Sequence, residues 1–188
     1  MASTSDFRNG FTMRFNGKLV TITEFQHVKP GKGPAFVRTK LKNVETGKVV
    51  DKTFPSGHKV DAVRIERRPY QYLYKDDMGY NFMNMQTYDQ ISLEGKLIEA
   101  SRFLMDGQDV EILFLADEER ALLCDLPQQV IQKVTTTEPG VRGNTATNVT
   151  KPATLESGAT VNVPIFINEG DRIKVDTKTG SYLERVRN

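Results

Sequence analysis

The sequence predicts an all-β protein made of three small, partly open barrels. Three observations point there: short β-type runs separated by turn residues recur along the chain, long helical periodicity is rare, and the formal charge changes sign twice. A chain of 188 residues would ordinarily hold one or two domains, but small barrels are compact enough for three. One boundary is expected just ahead of Glu66-Arg67-Arg68-Pro69, where the charge changes sign, and another after Leu126-Pro127. The expected modules are therefore 1–63, 64–127 and 128–188.

The elements follow in order. Residues 18–28 alternate loosely, with Val20, Ile22 and His27 at strand positions. Lys29-Pro30-Gly31-Lys32-Gly33-Pro34 is dense in residues that punctuate structure. Residues 35–42 then alternate, with Val37, Thr39 and Leu41 on one face and Arg38, Lys40 and Lys42 on the other. This predicts a hairpin whose solvent face is basic. A second hairpin is expected at residues 70–75 and 80–82 around Asp76-Asp77-Met78-Gly79, and a third at 110–115 and 121–124 around Asp117-Glu118-Glu119-Arg120. In the last module, residues 160–167 read as a strand in which Pro164 implies an edge or a bulge. Residues 171–175 and 181–185 close a final hairpin. No tandem repeat is evident.

Charge divides along the same lines. Residues 1–63 carry 11 Lys/Arg against 5 Asp/Glu (+6), residues 64–127 carry 7 against 13 (−6), and residues 128–188 carry 8 against 6 (+2). A basic first module suits a polyanionic partner, because neutralising phosphates releases condensed counterions. The acidic middle module is unsuited to lying along a phosphate backbone. With 38% hydrophobic and 27% charged residues and no long apolar run, the chain is expected to be globular and free of membrane spans. Its one cysteine, Cys124, excludes an internal disulfide, and the polar N-terminus does not resemble a secretory signal. The expected compartment is the cytoplasm.

Lys32 is the foremost candidate for function. Glycines on both sides remove neighbouring side chains and permit turn conformations, while Pro30 and Pro34 stiffen the flanks. The pattern predicts a narrow loop with one long cationic side chain at its tip. No acidic residue occurs from Phe25 through Val44, where Lys29, Lys32, Arg38, Lys40 and Lys42 accumulate. Such a tip suits insertion into RNA, although Lys is also common in solvated turns.

Catalytic readings fare worse. A phosphate-binding P-loop needs Gly four residues before the Gly-Lys pair and Ser/Thr after it, but Gln26 and Gly33 stand there. His27 and His58 have no cysteine near them, and zinc-ligand spacing is not evident, so neither metal nor cofactor is expected. Cys124 sits in an apolar run, as a buried inert thiol does. The acidic pairs fall in turns. Tyr70, Tyr72, Tyr74, Tyr80 and Phe82 could stack bases in a general RNA- or single-strand-binding barrel. In a module of charge −6, sheet packing explains them better. Asn148-Val149-Thr150 matches a glycosylation acceptor by accident.

The segment from Lys29 through Arg38, Lys-Pro-Gly-Lys-Gly-Pro-Ala-Phe-Val-Arg, closely resembles the signature loop of the bacterial elongation factor P family. The resemblance continues through Lys151-Pro152-Ala153-Thr154-Leu155, Val163-Pro164-Ile165-Phe166-Ile167 and Gly170-Asp171-Arg172-Ile173-Lys174-Val175-Asp176-Thr177, ending on Gly180, Tyr182 and Arg185. It spans essentially the whole chain.

The resemblance implies an SH3-like (KOW-type) N-terminal barrel and two OB-fold barrels in an L-shaped, tRNA-like arrangement. It implies a monomeric, non-enzymatic factor that binds the 70S ribosome, through rRNA and ribosomal proteins, between the peptidyl and exit sites. There it would relieve stalling at consecutive prolines. Lys32 would be extended by a lysine-modifying enzyme and presented to the CCA end of peptidyl-tRNA. Lys29, Gly31, Gly33, Arg38, Lys40 and Lys42 would contact rRNA or tRNA around it. Arg142, Gly143, Asn144, Thr145, Tyr182 and Arg185 would face mRNA or tRNA. Many members have Gly-Asp-Thr where this chain has Gly143-Asn144-Thr145; asparagine keeps an acceptor, loses the charge and gains donors.

Overall fold

The computed structural model describes residues 2–139 and 149–186, most of them in strands. The first sheet contains β1 (Ala2–Ser3), β2 (Thr12–Phe15), β3 (Lys18–Val28), β4 (Phe36–Asn43), β5 (Val49–Pro55) and β6 (Lys59–Ala62), in the order β1-β6-β2-β3-β4-β5. Its curled inner face closes on Met13, Val20, Ile22, Val37, Leu41 and Phe54, all buried. Alternation along β4 follows the predicted pattern: Val37, Thr39 and Leu41 are buried, while Arg38, Lys40 and Lys42 are exposed. Sequence alternation thus translates directly into an apolar inner face and a basic outer one.

The second sheet contains β7 (Ile65–Asp76), β8 (Gly79–Asn84), β9 (Gln90–Leu93), β10 (Asp109–Leu115) and β11 (Arg120–Asp125), ordered β11-β10-β7-β8-β9. Tyr70, Tyr72 and Phe82 are buried, and Tyr72 lies opposite Phe82 with ring centroids 5.4 Å apart. A register shift between Tyr72 and Tyr74 follows, and Tyr74 is exposed. The third sheet contains β12 (Gln129–Thr137), β13 (Thr150–Leu155), β14 (Thr160–Pro164), β15 (Arg172–Asp176) and β16 (Tyr182–Val186), ordered β14-β13-β12-β15-β16. Pro164 lies in an edge strand, as expected, but the strand ends there rather than continuing to residue 167. The Ile167 amide donates to the Pro164 carbonyl (3.1 Å), turning the chain so that Ile167 enters the core.

The chain divides into two compact units, one running to Arg68 and including Ile112–Leu123, the other comprising Pro69–Glu111 and the chain from Cys124 onward. In the first unit Leu19 packs with Leu113, Leu115 and Leu122. Arg68 Nη1 and Nη2 reach the two carboxylate oxygens of Glu119 at 2.7 and 2.9 Å, and Nη2 also bonds Glu66 at 2.8 Å. In the second unit Phe103 lies in the core of the third sheet, and Gln132 Nε2 donates to the Phe103 carbonyl at 2.8 Å. No helix among the described residues is long and apolar enough to cross a membrane.

Candidate nucleic-acid interface

The site is assembled from one hairpin. β3 and β4 pair antiparallel from Val20↔Asn43 to Val28↔Phe36, leaving residues 29–35 as the connecting loop. Long antiparallel pairing, unbroken from Glu24↔Lys40 to Val28↔Phe36, fixes where the loop emerges, and β5 braces the outer side of β4 from Phe36↔Pro55 to Lys42↔Val49. Gly31, Lys32 and Gly33 form the bend, and all three are exposed. Gly33 has φ +114, a conformation that side chains with a β-carbon resist. Gly31 has no positive φ, and a β-carbon there would meet nothing within 4 Å. The two glycines therefore differ: one shapes the backbone, the other leaves space.

Lys29 and Lys32 are exposed and make no ion pair among the described residues. Farther down the hairpin Arg38 stands over the Phe36 ring, 5.5 Å from its centroid. Lys40 is different. Its Nζ lies 2.8 Å from Glu24 Oε2, and Asp51 is its register partner on β5. The Glu24 hydrogen bond and charge raise the Lys40 pKa, with a smaller contribution from Asp51. The apex is thus free of countercharge among the described residues, whereas on the basic face below it Lys40 carries an acidic partner. A register shift between Ile22 and Glu24 brings Glu24 across from Lys40. Sequence alternation alone could not have located that shift. An open groove of about 440 Å³ over β3, β4 and β5 is lined by Glu24, Phe25, Arg38, Lys40, Asp51 and Lys52, whose opposite charges interleave.

Of the residues expected near mRNA or tRNA, Arg142, Gly143, Asn144 and Thr145 lie outside the described residues. Tyr182 and Arg185 both lie on β16, where Tyr182 packs half-buried against the third core. Arg185 Nη1 is 3.7 Å from Asp171 Oδ2, and its guanidinium stands 5.8 Å from the Phe166 ring centroid. Lys151, part of the family-like sequence, is buried and donates to the Glu138 carbonyl at 2.6 Å, an anchoring role. Cys124 is fully buried, and loss of solvation pushes its thiol up to about 12. It is not a poised nucleophile.

An exposed cationic hairpin on a curled sheet, followed by two further five-stranded sheets, defines an all-β protein of the multi-barrel class. Family models agree along the chain: "Elongation factor P (EF-P) KOW-like domain" matches residues 3–60, "Elongation factor P (EF-P) OB domain" residues 65–121, and "Elongation factor P, C-terminal" residues 130–185. Elongation factor P 1 of Porphyromonas gingivalis is 59% identical over 187 residues, covering 100% of both chains. Elongation factor P of Flavobacterium psychrophilum is 53% identical over the same span, again covering 100% of each. A solved structure of eukaryotic translation initiation factor 5A from Methanococcus jannaschii matches with a TM-score of 0.51 at 23% identity, covering 67% of this chain and 90% of that one, a likeness of fold. The chain belongs to the elongation factor P family of translation factors.

Proposed function

We propose that this factor binds the 70S ribosome between the peptidyl and exit sites and relieves stalling at consecutive prolines by presenting Lys32 to the CCA end of peptidyl-tRNA. One observation carries the reading: Lys32 is exposed at the bend of a long, register-fixed hairpin, with no acidic partner among the described residues. Residues 1–63 then form the KOW-type module carrying the probe, and 64–127 and 128–188 are the OB modules that follow it along the chain. Lys29, Arg38 and Lys42 contribute phosphate contacts that orient the hairpin. Lys32 is the position a modifying enzyme extends, lengthening its reach and adding donors. The factor works in the cytoplasm as a monomer.

Proline is a conformationally restricted amine. A factor that holds the tRNA end and nascent peptide in reactive geometry lowers the barrier through orientation alone. The ribosome supplies the chemistry. A general single-strand-binding reading is weaker: of the five aromatics that could stack bases, Tyr70, Tyr72 and Phe82 are buried within the sheet, leaving only Tyr74 exposed and Tyr80 half-buried, in a module of charge −6.

The test is translation of proline-repeat and control messages with the wild-type chain and Lys32→Ala. The variant is expected to melt like the wild type, yet lose rescue of the proline message. Full rescue by a folded Lys32→Ala protein would refute the reading.

A further inference from the structure

Among the described residues no hydrogen bond reaches residues 29–34, so the aim of Lys32 is set where the loop rejoins the sheet. The last rung of the β3–β4 ladder is Val28↔Phe36. Ala35 lies one residue beyond that rung, toward the apex, and β3 no longer holds it. It is held from the other flank instead, where the Ser56 amide donates to the Ala35 carbonyl at 3.0 Å. Pro34 carries that direction onward, because its ring fixes φ and restricts Gly33 before it. The tie nearest the apex is therefore made by the turn joining β5 to β6.

That turn is itself pinned by the segment of residues 2–6. The Gly57 amide donates to Thr4 Oγ1 at 2.8 Å, and the Thr4 amide donates to the His58 carbonyl at 3.0 Å. Thr4 is polar yet only 1% exposed. Its backbone is fixed on both sides. Ala2 and Ser3 pair with Val60 and Lys59 of β6, and Ser3 caps the single turn Thr4–Asp6, its amide meeting Asp6 Oδ2 at 2.8 Å. Within the β5–β6 turn the His58 amide donates to the Pro55 carbonyl at 3.1 Å. The His58 ring lies 5.6 Å from that of the buried Phe54. Water has little access to Thr4. An apolar side chain of the same shape would leave the Gly57 N–H to find solvent by shifting the turn, and the Ser56 amide with it.

We propose that Thr4 is a positioning residue for Lys32. Its hydroxyl sets the β5–β6 turn, the Ser56 amide of that turn sets Ala35, and Ala35 with Pro34 aims the apical loop. Being buried, Thr4 acts without touching a partner. The inference rests on the presentation of Lys32 proposed above.

The experiment uses the full-length chain, with Thr4→Val to remove the hydroxyl at constant shape and Thr4→Ser to keep it. All measurements are made well below the melting midpoint of each variant. Backbone 15N relaxation reads order at Ala35 and Lys32, and at Lys48 at the opposite end of the β4–β5 hairpin. Thr4→Val is expected to lower order at Ala35 and Lys32 and leave Lys48 unchanged. Equal loosening at Lys48 would mark Thr4 as merely structural, and no change at Lys32 would break the relay; either overturns the inference. Ser56→Pro tests the same relay without altering Thr4. It deletes the amide donor at an exposed residue, and Pro55 before it is already extended, as a following proline requires. It is expected to loosen Lys32 in the same way, and an unchanged Lys32 would again overturn the inference.

In translation of the proline message, Thr4→Val is expected to lower the rescue rate at saturating factor about fivefold, the population shift that one hydrogen bond supports. The half-saturating factor concentration should stay put, and Thr4→Ser should match the wild type. A loss seen only in the half-saturating concentration, or shared by Thr4→Ser, would overturn the inference. Loss of rescue in Lys32→Ala with none in Thr4→Val would remove the relay alone. Undiminished rescue in Lys32→Ala would remove the proposed function and this inference with it.

Discussion

Glu24 and Lys40 face each other across the β3–β4 hairpin, with Lys40 Nζ 2.8 Å from Glu24 Oε2. The pair neutralises one cation midway along the hairpin, whereas Lys29 and Lys32 at the apex have no acidic partner among the described residues. An exposed pair of this kind contributes little to folding, but it holds one cation back from phosphate.

Glu24→Gln should therefore release Lys40. If that side chain gains one phosphate contact, the slope of log affinity for 70S ribosomes against log salt should steepen by about 0.7–0.9. Binding titrations across a potassium chloride series would measure it, with the melting midpoint expected to stay put. An unchanged slope would show that Lys40 stays off the backbone even when unpaired.

The two apical glycines should respond differently to the same substitution. Gly33→Ala forces a β-carbon onto φ +114, whereas Gly31→Ala adds a methyl in open space. Strain of about 1–2 kcal/mol is expected at Gly33. Relieving it by reshaping the loop should leave proline-message rescue about tenfold below that of Gly31→Ala. Equal losses would mean that space at the apex matters more than its backbone shape.

Arg68 makes acid stability a testable property of the first unit. Its hydrogen bonds and charge hold the Glu66 and Glu119 carboxyls below their ordinary value. Both carboxylates then release protons more readily folded than unfolded. Their stabilisation is complete above about pH 4.5 and is lost as pH falls through the folded values. Melting midpoints from about pH 6 down to pH 3 should fall more steeply for the wild type than for Arg68→Gln. Parallel curves would argue against the linkage.

Gln132 is 1% exposed and satisfied at both ends, donating to the Phe103 carbonyl and accepting from Ser157 Oγ at 2.6 Å. Gln132→Leu would strand the buried carbonyl and free the serine. A loss of about 2–3 kcal/mol in denaturant unfolding is expected. A loss under about 0.5 kcal/mol would show that the pocket relaxes around leucine.

Much of the fold was legible because period-2 alternation survives in short strands. Val37, Thr39 and Leu41 point inward and Arg38, Lys40 and Lys42 outward, as the sequence indicates. What alternation cannot carry is register. Glu24 lies one residue outside the acid-free stretch yet meets Lys40, because the pairing slips between Ile22 and Glu24. Nor do single runs announce that Phe103 joins the third core or that Arg68 reaches Glu119, since both depend on distant chain segments meeting.

The sealed thiol of Cys124 makes the chain convenient for spectroscopy. It is the only sulfhydryl, it is fully buried, and near neutral pH it stays protonated. A cysteine introduced at the hairpin apex would outcompete it for maleimide. A fluorophore or spin label could thus be attached there without first deleting a native residue.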